Sequence, residues 1–390
     1  MKKDVSSSVV SEIMTEFADQ TGLSLAGKVP RRYLWTDAFA VCNFLGLYQQ
    51  TGDIKYEHLA LRLVDQVHNV LGRHREDDPR TGWISGLGEQ EGRIHPTIGG
   101  LRIGKQMNER RPDEAVDETL EWDRDGQYYH YLTKWMHALN RVSRVTGDSI
   151  YNIWAMELAK TTHARFTYVP SSGGQKRMYW KMSIDLSYPL VESMGHHDPL
   201  DGFITYSQLQ ATAAQYPKST LPDLSAEITD MADICKGKSW ITDDPLGIGG
   251  LLCDACRVAQ LIISEHFKRT DMLEILLDSS LPGLESYARK NPLKLPADYR
   301  LAFRELGLSI GLRAVARLQE LYEQNPGLFS KTHLLYPRIE TLKRYTSLSE
   351  IIEIFWFEHK NRETGSWTGH RDINMVMLAT SLSPDGYLIL

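Results

Sequence analysis

Carboxylates, often beside aromatic rings or histidines, recur at six places in this chain. The first two are Trp35-Thr36-Asp37-Ala38-Phe39 and Glu121-Trp122-Asp123-Arg124-Asp125-Gly126-Gln127-Tyr128-Tyr129-His130. The third is Gly195-His196-His197-Asp198-Pro199-Leu200-Asp201-Gly202, the fourth Asp243-Asp244-Pro245-Leu246-Gly247. The fifth is Pro296-Ala297-Asp298-Tyr299-Arg300, with Arg304-Glu305 one turn on, and the sixth Trp367-Thr368-Gly369-His370-Arg371-Asp372-Ile373-Asn374. Three carboxylates within residues 121–125 repel one another unless a ligand, a shared proton or an arginine such as Arg124 offsets them.

Sugar chemistry needs such a set. Glycoside hydrolysis uses two carboxyl groups across the bond, one protonated and one ionised, with pKa values that their surroundings push apart. Aromatic faces stack on sugar rings, while Asp, Asn, Arg and His bond the hydroxyls. On this reading Asp37 and Asp125 are the catalytic pair, with Glu121 and Asp123 as substitutes. Trp35, Trp122, Tyr129 and Trp367 form the stacking wall, and His196, His197, Asp201, Arg304, His370 and Asp372 bind hydroxyls or a carboxylate. Helix capping accounts for part of the pattern, because Asp is a preferred N-cap; Asp198, Asp243, Asp244 and Asp298 fit that role. Capping leaves the aromatic companions unexplained.

Two further functions remain open. One is a sugar epimerase or isomerase using His197 and His370, since imidazole titrates near neutrality. The other is a sugar-binding or scaffold module without catalysis. His196-His197-Asp198 with His370 and Asp372 could hold a metal, but no HExxH-like spacing fixes a site, so no metal is expected. No cofactor is expected either. Gly247-Ile248-Gly249-Gly250 lacks the strand a dinucleotide site needs, and neither a P-loop nor GxSxG occurs. Cys253 and Cys256 have no second CxxC partner and read, with Cys42 and Cys235, as free thiols.

These residues must be positioned by helices. Apolar residues recur at helical spacing, as in Leu59, Leu63, Val67 and Leu71 or Tyr131, Trp135, Leu139 and Val142. Strand signals are scarce. The pattern predicts helices over 6–20, 36–50, 54–73, 125–146, 149–166, 199–215, 222–237, 247–267, 270–289, 298–323, 336–358 (with a break at Thr346-Ser347 in question) and 371–383. Thr51-Gly52-Asp53 and Thr146-Gly147-Asp148 supply tight junctions, Gly ending one helix and Asp capping the next. Four connections are long: 21–35, 74–124, 167–198 and 359–370. Long loops in a compact domain are usually functional, though Ser171-Ser172-Gly173-Gly174-Gln175-Lys176-Arg177 reads as a flexible turn or lid. Twelve helices in six hairpins imply an all-α fold, an (α/α)6 toroid over residues 1–390, with every polar cluster at the long-loop mouth.

Tyr33-Leu34-Trp35-Thr36-Asp37-Ala38-Phe39, followed by Gly46-Leu47-Tyr48-Gln49-Gln50-Thr51-Gly52-Asp53, resembles the first inner helix of the six-hairpin glycosidases, nearest to the unsaturated glucuronyl and rhamnogalacturonyl hydrolases. That resemblance implies the (α/α)6 barrel with acidic residues at its mouth. It covers roughly 30 residues well, and the chain shows no clear counterpart of that family's second catalytic Asp. A weaker resemblance, in architecture, is to the N-acylglucosamine 2-epimerase-like barrels, which use histidines for proton transfer next to a carbonyl.

The expected partner is a small-molecule or oligosaccharide substrate. A net charge of −6 argues against a nucleic-acid footprint. The start Met1-Lys2-Lys3-Asp4-Val5-Ser6 lacks an apolar segment like that of a signal peptide, and no uninterrupted run of about 18 apolar residues suggests a membrane span. The expected compartment is the cytoplasm.

Overall fold

The computed structural model describes residues 2–24, 29–216, 222–264, 267, 269–329 and 335–390. Positions 25–28 of the expected 21–35 loop, and 265–266 at the end of the expected 247–267 helix, lie outside them. The fold is all-α. Its helices are α1 (Lys2–Gln20), α2 (Leu34–Thr51), α3 (Ile54–Leu71), the short α4 (Glu89–Ile94) and α5 (Glu118–Glu121), α6 (Tyr129–Thr146), α7 (Ser149–Phe166), α8 (Asp198–Ala213) and α9 (Ser225–Cys235). They continue as α10 (Pro245–Ile263), α11 (Thr270–Lys290), α12 (Ala302–Gln324), α13 (Leu335–Lys343), α14 (Ser347–Phe357), the short α15 (His359–Arg362) and α16 (Gly365–Thr368), α17 (Arg371–Leu382) and α18 (Asp385–Leu388). The segment expected as one helix over 336–358 is thus two, α13 and α14, separated by a turn at 344–346.

The α/α hairpins follow from their junctions. Gly147 ends α6 at φ 77°, a left-handed conformation that costs glycine little. The Asp148 side chain then accepts the Ile150 N–H at 3.0 Å and starts α7. Gly52 (φ 71°) precedes Asp53, whose side chain accepts the Lys55 N–H at 3.0 Å and starts α3.

By contacts the chain forms two compact units: unit 1 is Met1–Phe17, Gly46–Gly52 and Lys238–Leu390, unit 2 is Ala18–Leu45 and Asp53–Gly237. Unit 1 is centred on α10 and α12. A Cβ on Gly249 would lie 2.1 Å from the Gly307 carbonyl oxygen, so glycine is what lets these helices approach. α10 is the one described helix long and apolar enough to cross a membrane, but Leu251, Leu252, Cys256 and Val258 are buried in this core and Asp254 pairs with Arg257 at 2.9 Å. None of the four cysteines is in a disulfide, and Cys42, Cys253 and Cys256 are buried.

Unit 2 carries the α6–α7 hairpin, with α8 and α9 packed beside it. Trp135, Met136, Leu139 and Val142 of α6 are fully buried. Between α3 and α6, residues 72–128 form only α4, α5 and the two-residue strand β1 (Gln127–Tyr128). Buried side chains hold this long segment. Gln127 accepts the Leu101 N–H (2.8 Å) and donates to the carbonyls of Ile184 (2.6 Å) and Gly99 (3.2 Å). Arg102 donates to the Val70 and Arg73 carbonyls at the end of α3 (2.8 and 3.0 Å), where cations suit the helix dipole.

The strands are short and antiparallel. β2 (Thr167–Tyr168) pairs with β3 (Arg177–Met178), and β1, β4 (Lys181–Met182) and β5 (Pro189–Val191) form the other sheet. The 171–177 turn expected to be flexible is the tip of the β2–β3 hairpin, and it is held. Gln175 donates to the Ile234 carbonyl (3.2 Å) and Lys176 to Asp230 (2.5 Å), both on α9.

Candidate active site

The first turns of α6 and α8 face each other in unit 2. On α6, His130 and Lys134 are one turn apart and share a face; on α8, Asp198 and Asp201 do the same. Lys134 Nζ donates to Asp201 Oδ1 at 2.8 Å, tying the two helices together. His130 Nδ1 stands 3.8 Å from Asp198 Oδ1, close enough to interact electrostatically but too far for a hydrogen bond.

Strand pairing builds the wall around His130. β1 and β4 pair with Tyr128 opposite Lys181, and the Tyr129 N–H donates to the Trp180 carbonyl at 3.3 Å. Trp180 is thereby laid near-parallel to the imidazole, 6.4 Å centre to centre, and 5.7 Å from Tyr128. Tyr131 meets the imidazole edge-on at 4.8 Å, Trp35 lies at 5.9 Å and Tyr128 at 5.5 Å. Trp122, 53% exposed, packs edge-on against Trp180 at 4.9 Å and extends the wall outward.

The electrostatics are unusual. Asp198 is 4% exposed, and among the described residues its Oδ2 has no hydrogen-bond partner. Burial, with the Asp201 carboxylate a turn away, pushes its pKa up to about 8, against the opposing pull of Lys134. Asp198 is therefore protonated at neutral pH. Burial brings His130 down to about 4; Asp201 opposes that and Lys134 adds to it. A quarter of the His130 side chain still reaches solvent, which tempers the desolvation. The site thus pairs a neutral imidazole with a neutral carboxyl.

The carboxylates expected to be catalytic stand elsewhere in unit 2, and three of the four are buried and bound. Asp37 accepts from the Tyr33 N–H (2.9 Å) and Arg32 Nη1 (3.4 Å). Asp125 is 0% exposed; its Oδ2 lies between Arg102 Nη1 (3.0 Å) and Arg75 Nη1 (3.3 Å), and its Oδ1 accepts the Gly104 N–H (2.9 Å). Glu121 accepts from Arg110 Nε at 2.7 Å, with Lys181 Nζ at 3.5 Å. Asp123 is exposed.

Of the expected binding residues, Trp35 and Trp122 join the wall, and Asp201 is held by Lys134. Tyr129 is fully buried and donates to the Tyr206 hydroxyl at 2.8 Å. His196 and His197 immediately precede Asp198, their rings 4.6 Å apart, with His196 exposed. Arg304, Trp367, His370 and Asp372 belong to unit 1. There Arg304 pairs with Asp244 at 3.2 Å, exposed His370 lies 5.5 Å from the Phe303 ring, Asp372 sits in the first turn of α17, and buried Trp367 stacks on Trp356 at 5.7 Å.

Sequence reasoning did not single out His130, Lys134 or Trp180. The spacing of His130 and Lys134 was a usable signal, but the placement of Trp180 depends on a two-residue strand pairing. A cleft of about 500 Å³ lies elsewhere in unit 2, lined by His68, Trp83, Tyr151 and Trp154. It is less suited to proton transfer, since His68 is buried, accepts from Trp135 Nε1 at 3.2 Å and is pushed down to about 3. Among the described residues no set of three His, Cys, Asp or Glu side chains is placed to hold a metal.

No family model and no curated protein matches this sequence. Solved structures do. A sugar epimerase from a ruminal bacterium is 8% identical over 90% of this chain and 87% of its own, with a TM-score of 0.47. Cellobiose 2-epimerase from Bacillus thermoamylovorans is 9% identical over 89% and 87% (0.48), and that from Spirochaeta thermophila 13% identical over 95% and 97% (0.48).

Proposed function

We propose that this protein is a carbohydrate-active enzyme of the epimerase or isomerase type, moving a proton next to a sugar carbonyl. The observation that carries the reading is the partly open imidazole of His130, 3.8 Å from a buried carboxyl with an unpartnered oxygen, inside a wall of Trp35, Tyr128, Tyr131 and Trp180.

Proton abstraction beside a carbonyl needs a neutral base within reach of the C–H bond and an acid to protonate the developing enediol oxygen. His130 supplies the base and Asp198 the acid, with Lys134 and Asp201 fixing the two helix starts relative to each other. The proton held by His130 returns to the neighbouring carbon in isomerisation, or, once the enediol has turned its other face to His130, to the same carbon in epimerisation, and Asp198 takes its own proton back from the oxygen. No bond to water forms and no electrons leave the substrate. The hydrolytic alternative needs two available carboxyl groups, and Asp37, Asp125 and Glu121 are each engaged by arginine. The His197 and His370 pair first considered for proton transfer gives way here to His130, on which the aromatic wall converges.

The test is solvent exchange. Reducing mono- and disaccharides incubated in D2O should gain deuterium at the carbon next to the carbonyl, and His130→Gln should abolish this while the melting profile is kept. No exchange into any member of a broad set, or full exchange by the variant, overturns the reading.

A further inference from the structure

Next to the aromatic wall the same unit holds a cation that, among the described residues, has an aromatic ring but no carboxylate against it. Lys105 is half-buried, and among the described residues no carboxylate lies within salt-bridge distance of its ammonium. Its backbone is clamped. The Gly104 N–H donates to Asp125 (2.9 Å), Arg75 donates to the Lys105 carbonyl (2.5 Å) and to the Gln106 carbonyl (2.6 Å), and a Cβ on Gly104 would lie 2.3 Å from the Arg32 carbonyl oxygen. The side chain therefore leaves a fixed stem. Its Nζ sits 5.7 Å from the Tyr33 ring centre, and Tyr33 leads straight to the wall, its hydroxyl 2.8 Å from that of Tyr131. Tyr131 in turn touches the His130 imidazole.

The other charged groups nearby are taken up by one another. Arg75 and Arg102 converge on Asp125, Arg75 also on Asp77, and Arg110 and Lys181 on Glu121. Asp123, exposed, acts on Lys105 only from a distance, and Lys105 is the member of this group that no carboxylate among the described residues contacts directly. A partly desolvated ammonium without a counter-ion is unfavourable, and proteins normally pair such groups. Burial accordingly lowers the Lys105 pKa, with Asp123 and Asp125 opposing. An incoming anion would give the ammonium a direct partner.

We infer that the ligand of the His130 site carries an anionic group, a carboxylate or phosphate on a sugar, and that Lys105 binds it. The two tyrosine rings between Lys105 and His130 put the charge away from the reacting carbonyl: at the far end of a hexose, or on the next sugar of a disaccharide. This rests on the proton-transfer reading only in taking the ligand to be a sugar. Asp125, first expected to be catalytic, becomes a positioning residue for the Lys105 stem.

The experiment compares neutral sugars with their acids by calorimetry: glucose and galactose against glucuronate, galacturonate and glucose 6-phosphate. The acids should bind at least tenfold more tightly, with an affinity that falls as salt rises. Lys105→Met should bring the acids down to the level of the neutral sugars, and Lys105→Arg should restore the preference. In turnover assays the loss should appear in KM rather than in kcat. Preference for uronates alone, or for the phosphate alone, identifies which anion is meant. Equal affinity for acids and neutral sugars, no binding of any acid, or a preference that survives Lys105→Met overturns the inference. Deuterium exchange run in parallel separates the two readings: acids that bind tightly without exchange leave Lys105 standing and remove the His130 chemistry, and exchange of neutral sugars with no preference for acids does the reverse.

Discussion

Asp125→Asn separates a structural carboxylate from a catalytic one. In the native chain Asp125 Oδ2 lies 3.0 Å from Arg102 Nη1 and 3.3 Å from Arg75 Nη1, in a site closed to solvent. Asparagine keeps the volume and the acceptor for the Gly104 N–H, but it removes the charge facing two guanidinium groups. Breaking a buried pair by removing one partner costs about 3–5 kcal/mol, because the remaining charge stays buried and uncompensated. Arg75 retains Asp77 at 2.7 Å, so the cost belongs at the lower end of that range. For a unit of this size about 3 kcal/mol lowers Tm by on the order of 10 °C. Differential scanning fluorimetry and a urea titration read the loss, and deuterium exchange is measured well below the variant's transition. The expected result is a clear drop in Tm with residual catalysis. A variant that melts within about 2 °C of wild type yet has lost catalysis by a factor of about a thousand would refute the reasoning, and return Asp125 to the reaction.

Two further outcomes concern Asp198. Its pKa of about 8, against an unfolded value near 3.8, means that folding takes up a proton between those limits, so this group's contribution to stability falls as pH rises and levels off above about 8. His130, brought down to about 4, has the opposite slope, which ends near pH 6.5; from about 6.5 to 8 the Asp198 slope therefore stands without it. Asp198→Asn should flatten the Tm profile in that window, and an unchanged slope would show that the carboxyl is already ionised at neutral pH. Gly195→Ala would place a Cβ 2.3 Å from Asp198 Oδ2. The carboxyl must then move, and kcat should fall about tenfold or more with a small change in Tm; wild-type kcat would remove Asp198 from the mechanism.

Helices and their junctions were legible because they are local. Asp53 and Asp148 cap the next helix through an N–H two residues away, and the glycine before each carries the positive φ. The charge crowding at 121–125 was also legible, as was the need for something to offset it. What offsets it was not: Arg75, Arg102, Arg110 and Lys181 arrive from 11 to 60 residues away. An Asp in a polar motif looks the same whether arginines hold it or a substrate awaits it. His130 was hidden for a related reason. Its first-turn position on α6 is readable, but Asp198 and Trp180 reach it only once α8 and the β1–β4 pair are in place. Burial was hidden in the same way: Asp37, expected to be catalytic, and Tyr129 and Trp367, expected to stack on a sugar, are all buried, which their polar or aromatic neighbours in the motif do not reveal.

The long segment between α3 and β1 has little helix, yet Arg102, Asp125 and Gln127 bind its backbone through fully or nearly buried side chains. Its amides should therefore exchange with solvent as slowly as those of the flanking helices, and proteases should spare it despite its irregular path. Because the same few side chains hold both ends, protection should disappear across the segment in a single opening event rather than fray from one side. That event would release Lys105 and Trp122 together while α6 and α7 remain folded, so a catalytically dead, still helical state should be the first species reached on warming.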